Sequence, residues 1–324
     1  MREYIIRRSS LVIPTMFLVS LIIFFIMTIL PGDIIDVLSA GDIEIDRGAL
    51  KRQLGLDVPV HIQYMRWLGI VRDQNGEYAG LFQGNLGYSW WRGVPVGDLV
   101  RGAWPVTLEL GLMGLIASQL IALPIGVISA LRQDKWIDYL GRSFAIFCVS
   151  VPGFWLGTLI IVFPAIWWGY MPPIMLIPFI EDPIGNLKMF IIPALILGMA
   201  LAGVTMRMAR SMMLEVLRQD YIRTAWAKGL GERMIVLRHA LKNALIPVIT
   251  MIGLQVPFLI GGTVIIERIF VLSGMGRLII DSVQHRDSPV ISGIMILFSA
   301  ILVLANLLVD LTYAYLDPRV QFSR

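Results

Sequence analysis

The 324-residue chain is 57% hydrophobic and 15% charged, with a mean hydropathy of +0.76. That apolar fraction exceeds the roughly 45–50% of soluble domains and lies in long uncharged runs, which excludes an ordinary soluble protein and points to an integral membrane protein. The net charge of +4 does not mark a nucleic-acid binder, because the basic residues flank apolar runs, where membrane topology accounts for them. The single cysteine, Cys148, lies inside an apolar run; it excludes an intramolecular disulfide and a cysteine metal cluster and reads as a small buried hydrophobe.

A transmembrane helix needs roughly 20 apolar residues. The first such run, Leu11–Leu30, follows Arg2, Arg7 and Arg8. It is longer than the roughly 7–15 residues of a signal-peptide core, and Leu30-Pro31-Gly32-Asp33 is no cleavage site, so it is expected to stay attached as the first span. Residues 31–105 form a long external region of mixed charge. Its Gln53-Leu54-Gly55-Leu56 and Ile62-Gln63-Tyr64 segments predict folded structure rather than a tether. Five further spans are predicted over Val106–Leu131, Ser143–Tyr170, Met189–Met206, Leu245–Ile266 and Val290–Leu311, within a core of residues 106–313. Met171–Ile180 holds three prolines and is too short to cross, so it reads as an outer loop or a partly buried hairpin. The fold class is therefore all-α, a polytopic membrane protein with six transmembrane helices.

Six alternating spans place Arg132, Lys135 and Arg142, the basic residues of 207–244, and Arg319 and Arg324 on the same side as the N-terminal arginines. Positive charge accumulates on the cytosolic side, so residues 1–10 and the tail 314–324 are expected there. Only Lys188 lies between spans three and four, as an outer connection requires.

Common enzymatic chemistry is missing. The five lysines, at 51, 135, 188, 228 and 242, are never preceded by glycine, so no P-loop is present. His61, His239 and His285 fall in predicted loops and form no His-Glu-x-x-His, which disfavours an intramembrane zinc or serine protease.

The segment 207–244 between spans four and five is the informative one. From Glu232, the residues Met234, Leu237, Leu241 and Leu245 recur at three- and four-residue spacing, while Arg238 and Lys242 take another face. This pattern predicts an amphipathic helix along the membrane surface. Gly229-Leu230-Gly231 breaks it from a preceding helix, because glycine tolerates positive φ. A helix, a bend and a second helix form a protrusion that can fit a groove on a soluble partner; a basic helix resting on anionic lipid is the competing reading.

Gln219-Asp220-Tyr221-Ile222-Arg223-Thr224-Ala225, Ala227-Lys228-Gly229-Leu230 and His239-Ala240-Leu241-Lys242-Asn243-Ala244-Leu245-Ile246-Pro247 resemble the cytoplasmic loop of ABC importer permeases, in particular the B-type subunit of the dipeptide/oligopeptide branch. Pro31-Gly32-Asp33, Leu54-Gly55-Leu56-Asp57, Gly84-Asn85-Leu86-Gly87-Tyr88-Ser89, Thr107-Leu108-Glu109-Leu110 and Gly274-Met275-Gly276-Arg277-Leu278 with Arg286-Asp287 and Pro289 extend the likeness over nearly the whole chain. Trp226, Asn85 and Ser273 stand where the branch commonly has Arg, Asp and Pro. The resemblance implies a type I importer fold and ATPase docking by Asp220, Tyr221, Arg223, Thr224, Ala225, Lys228, Gly229, Arg233 and His239. It further implies a second permease subunit, usually a C-type paralogue, two ATP-binding subunits that hold ATP and Mg²⁺, and an extracytoplasmic substrate-binding protein at a prokaryotic inner membrane. Peptides are the implied cargo; relatives with this loop also move nickel, glutathione-like peptides or oligosaccharides. The rival class is a standalone channel or secondary carrier, which would need paired charges at mid-membrane.

Glu109 and Asp310 lie near span ends and read as interfacial or as pathway residues. Gln119 and Gln255, deeper, face a pore or bond a neighbouring helix. Glu267 and Arg268 are candidates for an external gate, a binding-protein contact or interface anchors. Pro152-Gly153, Pro257 and Gly261-Gly262 allow helix bending or close packing, with packing favoured.

Overall fold

The computed structural model describes residues 2–29, 46–73, 76–169 and 176–316. Eleven helices and one 3₁₀ turn (Leu81–Gln83, between α3 and α4) follow in order among them: α1 (Arg2–Ile29), α2 (Arg47–Leu54), α3 (Val60–Leu68), α4 (Val96–Leu131), α5 (Trp136–Ser150), α6 (Gly153–Trp168), α7 (Pro183–Leu217), α8 (Asp220–Ala227), α9 (Glu232–Ile269), α10 (Met275–Gln284) and α11 (Ser288–Leu316). No strand is present among the described residues, only the isolated bridge Tyr88 to Pro95. Five helices are long and apolar enough to cross a membrane, and the bent pair α5 with α6 makes a sixth candidate.

The helices overrun the apolar windows for local reasons. The Asp182 carboxylate caps α7 by accepting from the Ile184 and Gly185 amides at 3.1 and 2.9 Å, and Pro183 takes the first helical position, where no amide donor is needed. The helix therefore starts six residues before the window expected at Met189 and runs on to Leu217. Likewise α4 starts at Val96 rather than Val106. The external region holds α2 and α3; Asp46 caps α2 through the Gly48 and Ala49 amides. Pro31-Gly32-Asp33, Leu30 and Met171–Met175 lie outside the described residues.

The third span differs most from expectation. Ser143–Tyr170 is not one rod: α5 and α6 meet at 89°. Val151 is extended because the residue before a proline is disfavoured in the helical region, and Pro152 then starts the next helix. Bending, not packing, is what Pro152-Gly153 provides. Gly262 behaves as favoured, since a Cβ there would meet Leu197 Cδ1 at 2.7 Å. Two of the three histidines are helical, His61 in α3 and His239 in α9.

The chain divides into two compact units. In the first, Met1–Val106 with Ser273–Leu304, α1 holds α3 through a Ser20 Oγ to Tyr64 Oη hydrogen bond of 2.9 Å and the Phe24–Tyr64 ring contact. Val96, Ala103, Met275, Leu278, Val290 and Ile294 form its apolar core. In the second, Thr107–Leu272 with Ala305–Arg324, α7 packs most extensively, against α5 and α9. Approach is close enough that a Cβ on Gly198 would lie 2.4 Å from the Gly114 carbonyl oxygen, and one on Gly203 2.6 Å from that of Ala145. Without a hydrophobic drive between helices in lipid, such small-residue contacts supply the packing. Cys148 is buried there beside Ala122, Ala145, Ala202 and Met206.

Candidate docking site

The end of α7 leads through Arg218 and Gln219 into α8, whose apolar side is fixed: Ile222 and Ala225 are buried against Ala130, Met213, Ile235, Val236 and Ala240. Ala225, expected among the docking residues, therefore faces inward as an anchor. The outer side carries Asp220, Tyr221, Arg223, Thr224 and Trp226, all exposed, with Lys228 and Gly229 following. Arg223 Nη1 lies 3.3 Å from Asp220 Oδ1 on the surface. Gly229 ends the helix with φ +78°, a conformation costly for side chains with a Cβ, and nothing approaches within 4 Å of where a Cβ would be. Gly231 has an ordinary φ of −68° and precedes α9. The bend comes from Gly229 alone.

Beyond it, the surface-lying amphipathic helix is corrected. Glu232–Ile269 is one helix continuous with the fifth span. Met234 and Leu237 are exposed, whereas Ile235, Val236, Ala240 and Ala244 are buried. Over Ile235–Ala240 α9 also widens to i→i+5 hydrogen bonding. A π-helical insertion re-aims every following side chain, which a fixed 3.6-residue period does not register. Arg233 and Arg238 stay exposed and His239 is half-buried.

The membrane-embedded candidates do not converge on one site. Gln255 is buried and donates to Thr205 Oγ1 at 3.1 Å and to the Leu201 carbonyl at 3.4 Å, tying α9 to α7. It is also the polar residue on a cavity of about 720 Å³ beside the α5–α6 bend, lined otherwise by apolar residues such as Phe154, Leu197, Val204 and Phe258. Gln119 Nε2 donates to Ser118 Oγ at 2.7 Å. Glu109 is half-buried. Glu267 is fully buried and accepts from Thr107 Oγ1 at 2.7 Å. Arg268, beside it, is exposed at the end of α9. Asp310 lies on α11, its side chain outside the described ones.

Two polar constellations were missed from sequence. Asp138 on α5 and Arg210 on α7 form an ion pair whose carboxylate is buried. In the first unit, the Asp287 carboxylate accepts from the Ser89 hydroxyl and from the Trp90 amide at 3.0 Å, a Cβ added to Gly87 would lie 3.7 Å from Pro289, and His285 stacks on Trp91 at 4.3 Å. The motifs around residues 84–89 and 286–289 are thus one clasp.

Long apolar helices, small-residue helix contacts and an exposed helical hook between two spans define a polytopic all-α membrane protein. Residues 122–322 match the family of binding-protein-dependent transport system inner membrane components, and residues 1–111 match the N-terminal family of the same membrane components. Over the full length of both chains, the protein is 38% identical to permeases named for peptide transport systems in Brucella abortus and Brucella suis. It is 36% identical, again over both full lengths, to the glutathione transport system permease protein GsiC of Salmonella typhimurium. The chain belongs to the binding-protein-dependent transport system inner membrane component family, and is a permease component of an ABC transporter with the type I fold. Membership replaces the standalone-carrier reading, and the chain is a transport subunit rather than an enzyme.

Proposed function

We propose that this chain forms half of an inner-membrane pore for di- and oligopeptides, driven by ATPases that dock on the exposed side of α8 and the Lys228–Arg233 turn. The observation that carries the reading is the one-sided anchoring of α8: Ile222 and Ala225 are buried in the protein while Tyr221, Arg223, Thr224 and Lys228 face outward. Rigid attachment to α7 and α9 lets force on that hook reach two spans. ATP favours one pore state only if the docked subunits prefer that state's hook geometry.

In this reading two ATP-binding subunits hold ATP and Mg²⁺, and the chain itself has no cofactor. A C-type paralogue completes the pore, a substrate-binding protein delivers cargo from outside, and both termini are cytosolic. Peptide cargo is supported by the names of the full-length relatives, among which glutathione is itself a tripeptide. Nickel and oligosaccharides are the alternatives.

The test is mild-detergent purification from native membrane, with ligand titration of the cognate binding protein. Recovery of a second permease and P-loop ATPases, with a binding protein that takes peptides, supports the proposal. A chain that purifies alone and still transports sinks it, and a binding protein selective for nickel or sugar overturns the cargo.

A further inference from the structure

Asn243 lies three residues beyond the π-helical segment of α9. Its Nδ2 donates to two oxygens, the Tyr221 hydroxyl on α8 at 2.9 Å and the His239 carbonyl inside the π segment at 3.2 Å. Asn243 and Tyr221 are both exposed, so burial does not force the contact; water could satisfy either group. The bond therefore adds little to the stability of the fold, where Ile222 and Ala225 already hold α8 in place by apolar packing.

Its position gives it a different significance. A π-helical turn is one extra residue in an α-helix, and moving or expelling it turns the helix on one side by about 100° relative to the other. The amide at Asn243 grips the π segment's own carbonyl with the same nitrogen that it offers to α8. Tyr221, expected from sequence to touch a partner, has its hydroxyl turned to this internal link.

We propose that Asn243 is a positioning residue for ATP-driven transport: through Tyr221 it couples displacement of α8 to the register of the π segment, and so to the span formed by the rest of α9. The inference rests on the reading that ATPases dock on α8. It differs from packing alone because it assigns transmission to one hydrogen bond.

The reporter is Phe258→Cys, on the same span and exposed at the apolar cavity; the native Cys148 is buried. The rate of N-ethylmaleimide labelling is measured in the purified transporter complex with and without ATP. In the otherwise unaltered complex ATP changes that rate. Asn243→Leu and Tyr221→Phe each reduce the ATP effect roughly three- to tenfold, the scale of one lost hydrogen bond. The double variant falls no further than the lower single, because both remove the same bond. Asn243→Leu, outside the docking face, leaves labelling without ATP and recovery of the ATPases unchanged, which a purely structural role would not leave intact. An undiminished ATP effect in both singles, single effects that multiply in the double, or no ATP effect in the unaltered complex overturns the inference. If ATPases co-purify and one of these results appears, the docking reading survives and the inference alone fails; if none co-purifies with the unaltered chain, both fall.

Discussion

Asp138, in the first turn of α5, and Arg210, near the end of α7, meet as a two-pronged ion pair, with Nε to Oδ1 at 2.7 Å and Nη2 to Oδ2 at 2.6 Å. The Asp138 side chain is fully buried and Arg210 is 19% exposed. The same carboxylate accepts from the Asp134 amide at 3.0 Å, holding the Arg132–Lys135 turn, where Asp134 takes a φ of +58°. One buried group thus fixes the turn between two membrane helices and clamps it to the helix that leads into α8.

Removing one partner strands the other's charge, so Asp138→Ala is expected to cost about 3 kcal/mol, the lower end for broken buried pairs because Arg210 keeps some solvent access. Replacing both residues by apolar ones of similar volume should cost less than the single change. Thermal unfolding in detergent checks the order; a single variant as stable as the native chain would deny the pair its clamping role.

Gly229 gives a prediction separable from sterics. Its φ of +78° has open space around a would-be Cβ. Gly229→Asn, whose side chain tolerates the left-handed region, should keep most uptake, whereas Gly229→Val carries about 1–2 kcal/mol of backbone strain and loses most of it. Equal uptake by the two variants in whole cells would show that the bend does not matter.

Close packing is tested at Gly198, where an added Cβ meets backbone rather than a movable side chain. Gly198→Ala should destabilise by roughly 1–3 kcal/mol. Gly261→Ala, with nothing within 4 Å, should be neutral on the same thermal assay. Reversed sensitivity would contradict the helix packing described.

Asp287 satisfies the Ser89 hydroxyl and the Trp90 amide, and it is 2% exposed. Asp287→Ala should leave those donors unpaired, at about 1–3 kcal/mol, and free the loop that carries Tyr88 and Trp91. Faster proteolysis within residues 84–95 is the expected readout; an unchanged cleavage pattern would argue against the clasp.

Much of this was legible in the chain because lipid demands helices long enough to cross, and uncharged runs report them directly. The hook was legible too: Gly229 announces its own backbone, and the order of motifs around it identifies the family. What sequence hid was three-dimensional. Asp138 and Arg210 are 72 residues apart, and no local spacing pairs them. The buried face of α9 runs through Ile235, Val236, Ala240 and Ala244 instead of the Met234-Leu237-Leu241-Leu245 stripe, and the π segment at Ile235–Ala240 is invisible to a periodicity that assumes a uniform helix. The 89° bend depended on whether Pro152 followed a helical or an extended residue, a choice that Val151 makes only in context.

The central claim, that ATPases grip the outer side of α8 and its following turn, is tested most directly by cross-linking. With Cys148 buried, Lys228→Cys places one accessible thiol on the exposed hook. A short photoactivatable cross-linker attached there, in native membranes, is predicted to join this chain to a P-loop ATPase in high yield. An ATPase that co-purifies with the permease yet forms no adduct from position 228 would contradict the claim.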